Sequence, residues 1–228
     1  MVNDGKLEKI LSELKSLADP ENVAGMARYG INPKNTLGVS IPRLRSMARG
    51  IGRDHELASA LWGSGIHEAR ILAGLIDDPA MVTEAQIDRW VRDFDSWDVC
   101  DQICSNLFDK TKRAYEKAVV WSARNEEFVK RAGFVLMAAL AVHDKKAPDA
   151  RFKQFLPLIE REAGDERNFV KKAVNWALRQ IGKRNRALNE AAKATAKKVQ
   201  KMDSKSARWI AADALRELES DAVRKRFE

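Results

Sequence analysis

What most limits the folds open to this chain is a short string that occurs twice. Phe128-Val129-Lys130-Arg131-Ala132 returns as Phe169-Val170-Lys171-Lys172-Ala173, 41 positions on, and Ala177-Leu178-Arg179 returns as Ala214-Leu215-Arg216, 37 positions on. Apolar residues around these strings recur at helical spacing. Strand signals are almost absent: no run alternates, and no Asn-Gly or Asp-Gly turn joins two such runs.

Punctuation places the elements. Asp4 opens a first helix, Lys6 to Leu17, which ends before Asp19-Pro20, and a second runs from about Glu21 to Tyr29 and stops at Gly30. The stretch INPKNTLGVSIP, residues 31–42, is the longest loop-like segment. Pro42 then sits in the first turn of a helix running to Gly50, where proline loses no hydrogen bond. From Asp54 the chain reads as five helix pairs: 54–62 with 67–76, 83–93 with 97–108, 112–122 with 126–142, 149–163 with 167–183, and 186–201 with 204–218. Pairs recurring at ~30–45 residues are the signature of an α-solenoid of the HEAT or armadillo kind. One pair cannot bury its apolar stripe alone, so neighbours stack into a continuous core and leave an extended concave face. The expected architecture is all-α, a superhelical solenoid in one domain over residues 1–228, with residues 1–50 as N-terminal helices. The second helices carry the repeated basic positions and are expected to line the concave face.

Charge adds a direction. The 41 Lys and Arg outnumber 33 Asp and Glu, a net +8, but unevenly: residues 1–111 carry 13 against 17 (−4) and residues 112–228 carry 28 against 16 (+12). A basic half fits a polyanion, with nucleic acid ahead of membrane because no basic amphipathic helix has a strongly apolar face. The alternative is that the charge serves solubility alone. No apolar run approaches the ~18–20 residues of a membrane span, and the N-terminus lacks a signal-peptide core. Cys100 and Cys104 are the only cysteines, and His55, His67 and His143 are scattered. No metal or cofactor is expected; both thiols read as buried small hydrophobes in a reducing cytoplasm.

One stretch does not fit a purely structural reading. In DSWDVCDQICSNLFDK, Asp95 to Lys110, Ser96 is placed to cap a helix, and Val99, Cys100, Ile103, Cys104 and Leu107 gather on one side. Trp97 and Asp101, four apart, share the edge of the opposite side, so an aromatic and a carboxylate lie on a face the core does not claim. Trp176 repeats the oddity among Lys172 and Arg179 on the polar face of its helix. Tryptophans beside basic side chains suit a charged, stackable polymer. Core packing of either indole and an ion-pair role for Asp101 remain open alternatives. Trp209, beside Arg216, reads equally as groove or packing, whereas Trp62, Trp90 and Trp121 follow core spacing. Lys183, Arg184 and Arg186 suit a helix C-terminus as well as a phosphate.

Over nearly its whole length the chain resembles the DNA alkylation repair glycosylases of the AlkD type, which are HEAT-like solenoids. The resemblance is carried by Met26-Ala27-Arg28-Tyr29, Gly38-Val39 through Pro42-Arg43, Ser96 through Asp101, Lys130-Arg131-Ala132 and Lys172 through Arg179. It implies that Trp97, Asp101 and Trp176 form the catalytic set, that the DNA-gripping arginine is Arg131 or its neighbour Lys130, and that Tyr29 is the N-terminal site tyrosine. With Lys172, Arg179 and Arg216 these make up the expected DNA contacts. The implied partner is double-stranded DNA with alkylated bases, bound by a monomer.

The chemistry is self-consistent. A purine alkylated at N3 or N7 is cationic, so its glycosidic bond is already weak and the leaving base needs no general acid. A carboxylate beside the sugar stabilises the developing cation and orients a water. Indole faces support a cation and pack on deoxyribose; the resemblance implies that the base is not drawn into a deep pocket. No lysine nucleophile is evident beside the carboxylate, which favours simple hydrolysis over a Schiff-base lyase. Two rival readings remain: a non-catalytic binder of distorted or branched DNA, and a protein-interaction scaffold.

Overall fold

Side-chain oxygens begin many of the helices. Asp19, Asp54, Thr83, Asn185 and Ser204 each accept the main-chain N–H three residues on and so satisfy one of the donors that a helix start leaves open. A computed structural model describes residues 4–227, with the side chain of Asp4 outside the described set. Among the described residues there is no strand. The helices up to Thr111 are α1 (Asp4–Ser16), α2 (Pro20–Arg28), α3 (Ile41–Ile51), α4 (His55–Gly63), α5 (His67–Ile76), α6 (Glu84–Arg92) and α7 (Trp97–Asn106). Beyond it lie α8 (Ala114–Ser122), α9 (Glu127–His143), α10 (Asp149–Lys153), α11 (Leu156–Glu162), α12 (Asn168–Gly182), α13 (Arg186–Val199), α14 (Lys205–Leu218) and α15 (Asp221–Arg224).

The expected pairs are present with three corrections. The helix expected over 149–163 is two, because the chain turns at Gln154-Phe155 and restarts with Pro157 in the first turn of α11, where its missing N–H is not needed. The helix expected over 97–108 ends at Asn106: Leu107 leaves helical geometry (φ −128°, ψ −61°) and Phe108–Lys110 tighten into a 3₁₀ turn. The short α15 and a further 3₁₀ turn, Lys225–Phe227, follow the last expected pair.

The chain forms two compact units divided after Thr111. In the first, α5 packs between α3 and α7 and against its hairpin partner α4. Trp62 lies flat on Trp90, centroids 4.0 Å apart, with Phe94 and Phe108 around them, so two of the expected core tryptophans are core. The loop over residues 31–40 has little regular hydrogen bonding of its own and is held from α5. The Glu68 carboxylate, fully buried, accepts the main-chain N–H groups of Leu37 (2.9 Å), Gly38 (2.6 Å) and Val39 (3.3 Å). Gly38 is required here: its φ is +84°, and a Cβ would run into the Asp19 carbonyl.

In the second unit α9 packs against both α8 and α12, and α12 also meets α13 and α14. The sequence of α9 is apolar nearly all round, and the helix is buried accordingly. Gly133 lets the main chain of Trp121-Ser122 on α8 press directly on it, and Trp121, the third expected core tryptophan, is 3% exposed.

Replacing Glu68 by alanine leaves three main-chain donors without their acceptor inside the protein. The expected loss is about 3 kcal/mol or more, read as a fall in the urea unfolding midpoint.

Candidate nucleic-acid interface

The start of α7 is fixed by a chain of polar contacts in the first unit. Ser96 has the extended backbone of an N-cap residue, but its hydroxyl does not cap the helix as the sequence led one to expect. It donates instead to Asp98 (2.6 Å) and accepts the Asn32 N–H at 3.4 Å. The Asn32 amide reaches Asp95 at 2.9 Å. His67 Nε2 lies 2.8 Å from Asp98. Loop, α5 and α7 are thereby tied at one point, and there Trp97 donates its indole N–H to the Tyr29 carbonyl at 3.1 Å.

The consequence is a divided α7. Val99, Cys100, Ile103, Cys104 and Leu107 have no exposed surface. Trp97 and, one turn on, Asp101 are half-buried, with Tyr29 at 78% exposure beside the indole. Trp97 and Tyr29, far apart in sequence, therefore meet through the indole N–H and the Tyr29 main-chain carbonyl. Burial, with the neighbouring Cys100 thiol and the Asp101 and Asp109 carboxylates, pushes the Cys104 thiol well up, so this cysteine is an inert packing group.

Sequence reasoning missed the two residues of α5 that hold this arrangement, His67 and Glu68. The signal available was a His-Glu pair at a helix start just beyond the Asn/Gly/Pro-rich loop. Burial opposes charge on His67, but its hydrogen bond to Asp98 and the negative charges of Asp98, Glu68 and Asp95 outweigh it and raise its pKa. Burial likewise works against ionised Asp98, yet His67 and the Ser96 hydroxyl hold it below the ordinary value. The two shifts agree on a charged pair. A raised histidine stabilises fully below the unfolded value of 6.5 and loses that contribution as pH rises through the folded value. A lowered aspartate stabilises above 3.8 and loses its contribution as pH falls through the folded value. Stability is therefore expected to decline from about pH 7 upward, and His67→Gln to flatten that alkaline limb, as measured by urea midpoints between about pH 5 and pH 9.

In the second unit Lys172, Trp176 and Arg179 follow one another along a single face of α12, and Lys183 comes just past its end. Trp176 is half-buried and Lys172 exposed. Arg179 is not a bare cation: its Nη1 lies 2.6 Å from Glu217 and 3.5 Å from Asp213 on α14, and Lys183 reaches Glu217 at 2.6 Å. Arg216 is well exposed and pairs with Asp213. Trp209 is 41% exposed, with the Lys171 ammonium 5.6 Å from its ring, which places it on the surface rather than in packing. Arg184 spans to the carbonyls of Ala141 (2.7 Å) and Ala147 (3.3 Å) with its guanidinium 3.9 Å from Phe152. Of the two roles left open for its cluster, Arg184 takes that of binding carbonyls at a helix end. It also walls, with Lys145, Lys183 and Arg226, a cavity of about 560 Å³.

Lys130 and Arg131 depart from expectation, since neither is presented on a surface. Lys130 is 8% exposed and lies 2.6 Å from Glu162 and 3.3 Å from Asp165; Arg131 is 5% exposed and donates to the Phe169 carbonyl at 2.6 Å. The cause is the enclosure of α9, whose first turn lies beneath the segment joining α11 to α12. Removing one partner of a buried pair strands the other charges. Lys130→Ala is expected to cost about 3–5 kcal/mol of stability in chemical denaturation, whatever it does to ligand binding.

The sequence profile of the DNA alkylation repair enzyme family matches residues 10–218. The chain belongs to this family. A solved relative within the same fold comes from a group described as "a new family of proteins related to the HEAT-like repeat DNA glycosylases with affinity for branched DNA structures". It superposes with a TM-score of 0.76 at 22% identity, covering 92% of this chain and 94% of that one. No curated protein matches the chain. The fold of this DNA alkylation repair family member is thus that of HEAT-like helix pairs. Among its described residues no helix is long and apolar enough to cross a membrane, and no group of three or more His, Cys, Asp or Glu is arranged to hold a metal ion.

Proposed function

We propose that the chain is a monofunctional DNA glycosylase that hydrolyses the N-glycosidic bond of N3- and N7-alkylated purines in duplex DNA, acting as a cytoplasmic monomer. One observation carries the reading: Trp97 and Asp101 stand one turn apart on the solvent side of α7, beside Tyr29, while the other side of that helix is wholly given to the core. A carboxylate at a half-open position beside an indole is of little use for packing. It suits a reaction whose transition state is a cationic sugar. Because the alkylated base already carries positive charge, it departs without a proton donor, and the remaining demands are charge stabilisation and a positioned water. Asp101 supplies both. Trp97 packs on the deoxyribose and Tyr29 flanks it. In the second unit Trp176 and the exposed cations Lys172 and Arg216 contact the strand, with Arg179 joining as a cation shared with Glu217 and Asp213. Arg131, inside the protein, contributes from beneath by holding the start of α12 through the Phe169 carbonyl.

Family membership supports the repair role. The solved relative named for branched DNA favours a second reading, in which the same surfaces bind distorted DNA without excision. Free base released from a duplex bearing 7-methylguanine separates the two. The glycosylase reading requires release above the spontaneous rate, and Asp101→Asn is expected to reduce it at least about a hundredfold, the lower edge of what one electrostatic stabiliser contributes (~2.7–4 kcal/mol). Release no faster than the spontaneous rate, with tight and strongly salt-dependent binding to branched DNA, moves the function to the binder.

A further inference from the structure

The acidic unit contains a surface with the opposite character. Arg45 and Arg49 stack one turn apart on α3, and Arg53 follows Gly52 just past its end. Together with Leu75 of α5 and Asn106 of α7 they line a cavity of about 360 Å³ whose lining includes no carboxylate. Like charges at this helical spacing repel. The repulsion was avoidable, since acids outnumber bases by 17 to 13 over residues 1–111. Elsewhere in the unit the matching is made: Lys6 sits on Asp54, Arg43 on Glu13 and Arg70 near Asp95. Among the described residues Arg45 and Arg49 make no side-chain hydrogen bond or ion pair, and both are exposed. Arg53 is anchored by donating to the Asp77 carbonyl, which fixes one wall.

We infer that this cavity is a phosphate site for the DNA backbone, distinct from the Trp97 face. Guanidinium forks match the oxygens of phosphate and carboxylate in pairs, and a concave wall of three of them without a competing acid is an anion site; with DNA as the ligand, the anion it meets is a backbone phosphodiester. Asn106 closes α7 at the end opposite Trp97, nine residues away and on the far side of the helix, so the two surfaces of the unit do not merge. A strand held here is held apart from the reacting sugar. The inference takes from the reading above only that DNA is the ligand, not that a base is excised.

The test is the salt dependence of binding to an unmodified duplex, followed by fluorescence anisotropy. Arg45→Gln with Arg49→Gln removes two uncommitted side chains and leaves the fold's bonds intact. Each phosphate contact contributes about 0.9 to the slope of log affinity against log salt, so the double variant is expected to lose about 1–2 from that slope and about tenfold in affinity near 100 mM salt. Arg89→Gln with Arg92→Gln on α6 makes the same change in net charge away from the cavity and is expected to leave the slope within about 0.5 of the parent. An unchanged slope in the first variant, an equal loss in the second, or no binding of duplex by the parent protein would falsify the assignment. Absence of 7-methylguanine release alongside the expected slopes removes the excision reading and leaves the phosphate site standing.

Discussion

A single buried carboxylate organises the first unit. Glu68 lies in the first turn of an otherwise apolar α5 and has no contact with solvent, an arrangement that is strongly unfavourable unless the charge is hydrogen-bonded. The three consecutive main-chain N–H groups of Leu37, Gly38 and Val39 provide that bonding, in the manner of an anion nest. The grip extends outward: Asp19 N–H bonds the Leu37 carbonyl, the Asn22 amide the Gly38 carbonyl, and His67 N–H the Asn35 carbonyl. With the loop so fixed, Asn32 meets Ser96 and Asp95, and the end of α2 brings the Tyr29 carbonyl to the Trp97 indole. The orientation of the aromatic on the open side of α7 thus depends on an anion several contacts away.

The second unit solves a different problem. Its central helix, α9, is enclosed, so any charge on it must be neutralised from the surrounding segments. Glu162 and Asp165 do this for Lys130, and both carboxyls stay below their ordinary values because that cation and nearby arginines outweigh their burial. The pairing logic continues outward: Asp213 and Glu217 on α14 hold Arg179 of α12, and Glu217 also holds Lys183 just past its end. Lys130, Arg131 and Arg179 therefore serve first as links from one repeat to the next, whereas Lys172 stays exposed and Arg216 pairs within its own helix. Affinity for a polyanion falls to what pairing leaves over. Residues 112–228 carry 28 bases and 16 acids, so even complete pairing within the segment leaves twelve cations unmatched.

Periodicity made the helix pairs legible, because each pair carries its own apolar stripe and its own end signals. The stacked Trp62 and Trp90 and the buried Trp121 were likewise readable from spacing alone. The apolar side of α7 was readable too, from the spacing of Val99, Cys100, Ile103 and Cys104, whereas the half-buried place of Trp97 was one of two readings that the spacing left open. What could not be read were the properties set by neighbours remote in sequence. Lys130 looks like a surface cation until Glu162 is placed beside it, 32 residues on. Ser96 looks like a helix cap until His67 orients Asp98 to receive its hydroxyl. The break at Pro157 is of another kind: its signal was in the sequence, but the apolar spacing of Phe152, Phe155, Leu156 and Ile159 runs across it and conceals it.

The separation of charge between the units has a chemical sense on the proposed reading. A carboxylate that must favour a cationic sugar works best where neighbouring cations do not quench it, and Asp101 lies in the segment where acids exceed bases by 17 to 13. On that reading the same surplus repels the DNA backbone, so the acid proposed to serve the chemistry opposes the approach of the substrate. Two features offset that opposition. The segment from 112 to 228 supplies long-range attraction through its net +12, which acts over about a Debye length and steers encounter. The arginine-lined cavity at the end of α3 supplies a short-range hold inside the acidic unit itself, on the side of α7 away from Asp101. The arginines that form it offset some of the unit's negative charge without placing a cation against the carboxylate proposed for catalysis. Had those arginines been on the Trp97 face, the hold on DNA would have been stronger and the stabilisation of the sugar cation weaker.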